Sequence, residues 1–507
     1  MTWRRDVPPT FIGEANKIKY ELLPYVNGDG IELGCGPWKA FAHSIGIDGQ
    51  RHPGPRGPQL VMDCTRFPMF ADRAFDFVFS SHLLEHIVDT AATLAEWWRL
   101  VKIGGRLILY LPHKNFYPNV GEPGANPDHK HDFVPEDIRA IMRGLGGWSL
   151  ERDDVRSEGY EYSFLQVWRK RDDDEQIIVD RPAAGTPACI VRTACVVRPG
   201  AYGDALLAAS VCAGLREQGY RVTVMTEECG QEVLREDPNV DEILSLDVLP
   251  DSEWQACWDY FEPRFDRFIN LCESVEKNLI SVSQDSRFYW PDALRRQVFA
   301  GNYLEQMHAV AGVPYLPKVR FHETEAERDA AFARSIAWSP LIVVAVSGST
   351  PPKFWPHVPT LVEALAKAGA HVVLLGDLRG LKIAASDWVH VIGTVWPMRD
   401  ALALARQAAV VIGQETGLLN AVAFEPMRKV VLLSHSTERN LTRDWINTVA
   451  LHGDVPCYPC HRIHFAAHDW KFCHRDETTG AAACQTAIDV EQVIEALVDA
   501  IQFEKAA

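Results

Sequence analysis

Short strand-like apolar runs alternate with segments of helical spacing along almost the whole chain, and the alternation restarts twice. Stacked βα units with parallel sheets are what such a pattern permits, so the expected fold class is α/β. The first series runs GIELGC, SIGID, LVMDC, FDFVFSS and RLILYLP, closed by a pair near WSLERD and YSFLQVWRK. Helical spacing lies between them in TAATLAEWWRLV and VPEDIRAIMRGL. The second series begins at ACIVRTACVVR and the third at PLIVVAVSGS. RKRDDDEQIIVDRPAAGTP, charged and rich in Pro and Gly, reads as a linker between the first and second. A chain of 507 residues also exceeds one core, which stops growing at roughly 250–300 residues. The reading is a Rossmann-like domain at 1–172, a linker at 173–187, and two Rossmann-like lobes at 188–330 and 331–507.

Composition removes several classes of function. A formal net charge of −17 argues against a nucleic-acid partner, which needs a basic face. No run approaches the ~20 apolar residues of a membrane span, and MTWRRDVPPTFIGEANK lacks the apolar core of a secretory signal. The expected location is cytoplasmic, with peripheral attachment at the inner membrane face as a variant of it.

Chemistry concentrates first where Ile31-Glu32-Leu33-Gly34-Cys35-Gly36 ends a strand. Glycines there let a backbone approach a ligand that a Cβ would obstruct. Asp48 closes the next strand, suited to the two hydroxyls of a ribose, and Asp63 the third, suited to an adenine amino group. Three acidic strand ends in a row, Glu32, Asp48 and Asp63, point to the carboxyl edge of an open sheet, where α/β folds bind ligands. With the fourth strand running into Ser80-Ser81-His82-Leu83-Leu84-Glu85-His86, the region about 15–170 resembles class I methyltransferases of the type 11 group. That resemblance implies S-adenosylmethionine as cofactor, contacted by Glu32, Gly34, Gly36, Asp48, Asp63 and Ser81, with His82 at the pocket mouth. The link from Gly36 to Asp48 is short beside the ~20-residue spacing of a dinucleotide fingerprint, which disfavours nicotinamide. For the acceptor's proton, His82, His113 and the histidines of Asp128-His129-Lys130-His131-Asp132 are candidate bases, His82 and His131 foremost. Each also has a structural reading, as do Glu85 and His86.

The second series opens Arg198-Pro199-Gly200-Ala201-Tyr202-Gly203-Asp204 and passes at once into a helix. Asp204 is either an N-cap or a general base that deprotonates an acceptor hydroxyl. The third series carries Ser347-Gly348-Ser349-Thr350-Pro351-Pro352-Lys353-Phe354-Trp355-Pro356 and, later, Glu415-Thr416-Gly417-Leu418-Leu419-Asn420. Small hydroxyl and glycine groups suit phosphate oxygens, and a lysine suits a departing diphosphate. Residues 188–505 resemble the heptosyltransferase-like glycosyltransferases, with Glu415, Leu418 and Asn420 where that pattern has Asp, Pro and His. The resemblance implies a GT-B pair of lobes and an inverting transfer from a nucleotide-diphosphate sugar, ADP-linked, to a glycan or lipid-linked glycan. Asp204 would be the base, and Ser347, Ser349, Lys353, Gly376, Glu415, Thr416 and Gly417 would bind the donor, with Lys353 also stabilising the leaving group. No catalytic metal is expected there.

Of the 12 cysteines, Cys457, Cys460, Cys473 and Cys484 form the cluster that matters. A C-x-x-C with later ligands suits a structural zinc, and free thiols or a disulfide are the other readings. Three functions are compatible with these motifs. The chain is a bifunctional glycan-modifying enzyme that glycosylates and O-methylates, a glycosyltransferase with a non-catalytic methyltransferase-like domain, or a glycosyltransferase acting on modified bases.

Overall fold

The computed structural model describes residues 13–52, 56–159, 161–179, 192–247, 249–250, 253–272, 290–348, 353–378, 380–461 and 473–497. The chain divides into two compact units, 1–190 with 245–261, and 191–244 with 262–507. Among the described residues no helix is long and apolar enough to cross a membrane.

The first unit is built on eight strands: β1 Gly30–Leu33, β2 Ile45–Asp48, β3 Leu60–Val61, β4 Phe75–Ser81, β5 Val101–Pro112, β6 Trp148–Arg156, β7 Ser163–Lys170 and β8 Gln176–Ile178. They lie in the order β3-β2-β1-β4-β5-β7-β6-β8, parallel except where β7 runs against β5 and β6. The order reverses between β1 and β4, which places the crevice of a doubly wound sheet over their carboxyl ends. The helix Thr90–Leu100 begins where the Asp89 carboxylate accepts from the Ala92 amide at 3.0 Å. It lays Leu94, Trp97 and Trp98 on the sheet beside Phe67, Leu107 and Trp168.

Two segments differ from the expected organisation. Gln176–Ile178, read as linker, pairs in parallel with β6 and extends the sheet, with all three residues exposed at its edge. Residues 245–261, read as part of the second domain, belong to the first unit. There Glu253 forms ion pairs with Lys19 and Arg56, both at 2.5 Å, and Tyr260 packs against Tyr20. Neither contact has a signature in local hydrophobic period.

The second unit holds two sheets. β9 Arg192–Val197, β10 Tyr220–Thr226, β11 Glu242–Ser245 and β12 Arg267–Asn270 are ordered β11-β10-β9-β12. β13 Leu341–Ala345, β14 His371–Leu375, β15 Val389–Gly393, β16 Val410–Gln414, β17 Arg428–Leu433 and β18 Thr448–His452 are ordered β15-β14-β13-β16-β17-β18 and all parallel. Their continuous apolar runs follow from burial on both faces. In β13, Leu341, Val343 and Ala345 join one core while Ile342 and Val344 join another, the period of two dividing a single run between layers. The first of these cores continues into Val196 and Val224 of the other sheet. Arg399, buried, pairs with Glu327 at 2.7 Å and donates to the Glu232 and His322 carbonyls, fixing helix Met398–Ala405 against the β9–β12 half.

Candidate functional site

At the switch point of the first unit, Gly34 and Gly36 hold φ of 68° and 58°, conformations that glycine tolerates and other residues resist. A Cβ on Gly34 would strike Leu83 at 2.9 Å, whereas one on Gly36 would meet no heavy atom within 4 Å. Space for a ligand therefore opens over Gly36. Asp48 is anchored beside it by the amides of Gly36 and Gln50, each at 2.9 Å, and Asp63 lies exposed after β3. Ser81 ends β4 with its hydroxyl 3.3 Å from His82 Nδ1. These groups suit S-adenosylmethionine by a bare backbone, a fixed carboxylate and an open one.

Glu32 is placed differently from its expected role. It is 2% exposed, and its carboxylate accepts from the Ala40 amide at 2.8 Å and the Phe41 amide at 3.3 Å. It holds the turn after β1 rather than facing the crevice. Burial pushes its carboxyl up to about 7, against the lowering effect of those amides.

His82 sits at φ 48°, strained for a residue with a side chain. Its Nε2 lies 3.1 Å from Ser163 Oγ, and Tyr110 packs against its ring edge. Burial, then the neighbouring Lys17, His129 and His86, bring its pKa down to about 3, so the imidazole is neutral. The 128–132 loop lies against the turn Leu84–His86: the amides of Lys130 and His131 donate to the Glu85 carbonyl at 2.7 and 3.2 Å. His131 Nε2 lies 3.1 Å from the Val88 carbonyl, and His113 Nδ1 accepts from the Asn115 amide. The loop thereby gathers Glu85, His86 and His129, whose ligand atoms all lie within 4.8 Å of one another. From sequence, Glu85 and His86 go together and His129 stands apart from them. Their juxtaposition depends on the loop folding back across more than forty residues.

In the second unit the two expected motifs meet. A Cβ on Gly203 would lie 2.7 Å from Gly417 Cα, and one on Gly417 would lie 2.4 Å from the Tyr202 ring. Only bare backbone lets the starts of helices Tyr202–Ala209 and Gly417–Val422 approach so closely. Asn420 Nδ2 donates to the Gly203 carbonyl at 3.4 Å, so the residue standing in place of the family's histidine serves this seam. Asp204 accepts from the Ala201 amide at 3.0 Å and pairs with buried Arg198 at 2.8 Å, while its side chain stays 38% exposed.

Beside that seam lies a cleft of about 310 Å³ at the carboxyl ends of β13, β14, β15 and β16, with Ser347, Gly376 and Thr416 on its wall together with Tyr202 and Trp396. Gly376 holds φ 107°, and a Cβ there would lie 3.0 Å from Ser347 Oγ. Thr416 caps the following helix through the Leu419 amide. Tyr202 comes from the turn between Gly200 and Gly203, and Trp396 follows β15. Lys353 donates to the Glu415 carbonyl at 2.7 Å. Ser349 lies outside the described residues.

Glu415 does not line the cleft. Its carboxylate accepts from the Ser434 and Ser436 amides at 2.8 and 3.1 Å and lies 3.0 Å from His435 Nδ1. Burial opposes its ionisation, yet His435, Lys353 and the Ser434 amide hold its carboxyl far below the ordinary value. It ties β16 to the loop after β17. Cys457, Cys473 and Cys484 form no disulfide among the described residues, and Cys460 lies near them. Burial, then the neighbouring Cys473, Cys460 and Cys457, push the Cys484 thiol up to about 12.

Residues 41–109 match the family model described as a methyltransferase domain. A 54-residue stretch is 46% identical to the demethylmenaquinone methyltransferase of Mycolicibacterium paratuberculosis, a match over 11% of this chain and 23% of that protein. Among solved structures, the E. coli ADP-heptose lipopolysaccharide heptosyltransferase II is similar at 16% identity over 60% of this chain and 97% of its own, with a TM-score of 0.43. A SAM-dependent methyltransferase from Archaeoglobus fulgidus is similar at 18% identity over 32% of this chain and 96% of its own, with a TM-score of 0.25. The N-terminal region of the chain carries a methyltransferase domain, and two further α/β sheets follow it.

Proposed function

We propose that the chain is a bifunctional glycan-modifying transferase, which moves a sugar from a nucleotide-diphosphate donor to a glycan or lipid-linked glycan and methylates a sugar hydroxyl. The observation that carries the first activity is the convergence of Ser347, Gly376 and Thr416 on one cleft beside the Gly203–Gly417 seam. The acceptor hydroxyl gives its proton to Asp204 as its oxygen attacks the anomeric carbon. The bond to the diphosphate breaks, and Lys353 meets the charge that departs. Attack from the face opposite the leaving group inverts the anomeric centre. The heptosyltransferase-like motifs favour an ADP-linked donor, and no catalytic metal enters this scheme.

For the second activity, Asp48 presents a carboxylate to ribose hydroxyls, Asp63 to an adenine amino group, and Gly34, Gly36 and Ser81 give close backbone approach. S-adenosylmethionine, when bound, supplies an electrophilic methyl group. One observation favours a second reading, a methyltransferase domain that binds without turnover: both ring nitrogens of His82 face hydroxyls, and His131 faces a carbonyl. The four thiols remain candidates for a structural zinc.

The test uses the full chain, a panel of nucleotide sugars scored by nucleotide release, and labelled methyl uptake. Asp204→Asn is expected to lower sugar transfer at least ~100-fold. Transfer that survives this change removes Asp204 as the base. Methyl uptake is expected in the wild type and lost in Asp48→Ala, and its absence from the wild type leaves the non-catalytic reading.

A further inference from the structure

Glu85 follows β4 on the short turn Leu84–His86, is 1% exposed, and has both carboxylate oxygens buried without a hydrogen-bond partner. An uncompensated buried carboxylate costs several kcal/mol, so such a group either keeps its proton or faces a cation. What faces it is two imidazoles. His86 Nε2 and His129 Nε2 each lie 3.9 Å from Glu85 Oε1, and the two rings meet edge to face at 4.7 Å.

Neither histidine is held there by chance contact. His86 is adjacent in the chain, and His129 is positioned by the two loop amides that donate to the Glu85 carbonyl. Tyr117 packs on the other side of the His129 ring at 5.4 Å, limiting its rotation. The His86 side chain remains 29% exposed, which leaves the group a route to solvent.

We propose that Glu85, His86 and His129 form a binding site for a divalent first-row transition cation, with zinc as the type ion. Two imidazoles and one carboxylate are a ligand set for such ions, and three protein ligands leave a position for water or a substrate oxygen. Around zinc, with bonds of about 2.1 Å, tetrahedral ligand atoms stand roughly 3.4 Å apart, so each 3.9 Å separation needs an adjustment of about 0.5 Å. The cation would neutralise the buried carboxylate by binding one of its oxygens. The site lies three residues beyond His82, on the turn that leaves the crevice. On the methyl-transfer reading above, an oxygen bound there would lose its proton more readily.

Metal binding is tested without turnover, so its failure is distinct from failure of the methyl-transfer reading. Full-length protein is stripped with a chelator, and Zn²⁺ alone is titrated calorimetrically, with Co²⁺ as a spectroscopic probe. A background carrying Cys457→Ser, Cys460→Ser, Cys473→Ser and Cys484→Ser separates this site from the thiols. In that background one equivalent is expected to bind, and Co²⁺ should show d–d bands without thiolate charge transfer. Glu85→Gln and His129→Gln are each expected to weaken binding at least ~100-fold, and Glu85→Asp to retain part of it. In the unmutated chain, Zn²⁺ should protect the partly exposed His86 from diethylpyrocarbonate, read by peptide mapping. Binding that is unchanged in Glu85→Gln, or His86 modified equally with and without Zn²⁺, overturns the site even where a variant folds poorly.

Discussion

Glu32 in the first unit and Glu415 in the second follow the same logic of placement and come out with opposite electrostatics. Each stands at the carboxyl end of a parallel strand, each is buried, and each accepts hydrogen bonds from two backbone amides. For Glu32 burial prevails and the carboxyl rises to about 7. For Glu415 the added imidazole of His435 reverses the balance and the carboxyl falls far below its ordinary value. At Glu32 the amides, Lys39 and Ser44 do not offset burial, whereas at Glu415 the amides together with His435 and Lys353 do. Both residues brace a loop through its backbone amides.

The comparison breaks most visibly at Glu415. Glu415→Ala leaves His435 and two amides without their acceptor, and loss of one member of a buried pair costs about 3–5 kcal/mol. Denaturant unfolding of the second unit should show a loss in that range, and a loss below ~1 kcal/mol would mean that water replaces the carboxylate freely.

The glycines of the two regions sharpen the contrast between a seam and a crevice. Gly203→Ala drives a methyl group onto Gly417, so the helix starts must separate, at about 1–3 kcal/mol of overpacking. Misplacing the catalytic groups by an ångström costs about 100-fold in rate, which nucleotide release would record. Gly36→Ala meets open space, so its cost is the backbone strain of φ 58°, about 1–2 kcal/mol. Its larger effect should fall on S-adenosylmethionine affinity, measured calorimetrically. Equal effects of the two alanines on sugar transfer would remove the distinction.

The α/β class and the series of sheets follow from hydrophobic period, because a strand buried on both faces and an amphipathic helix leave different patterns. Gly34, Gly36, Gly203 and Gly417 were identifiable for the same reason, since their places in the strand-to-helix turns are local. Whether an acidic strand end points outward or back into its turn is not local. Asp48 and Glu32 have equivalent sequence settings, and their difference arises from where the next loop presents its amides. The contact of residues 245–261 with Lys19 and Arg56, and the approach of His129 to Glu85, are long-range and depend on chain reversals that carry no periodic signal.

The smallest expected effect is a difference in pH dependence. Between its ordinary 4.5 and about 7, Glu32 binds its proton more tightly folded than unfolded, so its contribution to stability declines as pH rises through that window. The slope is at most about 1.4 kcal/mol per pH unit for one group. Glu415 has the opposite sign: the unfolded chain binds its proton more tightly, and stability present above the ordinary glutamate range is lost as pH falls below it. Glu32→Gln should therefore flatten the limb of the first unit between pH 4.5 and 7 and leave the acid limb of the second unit unchanged. Thermal unfolding across that range, with the two transitions resolved, makes the comparison directly. If the first unit keeps its full slope in Glu32→Gln, then its amides, not burial, control the Glu32 proton and the two glutamates are held alike.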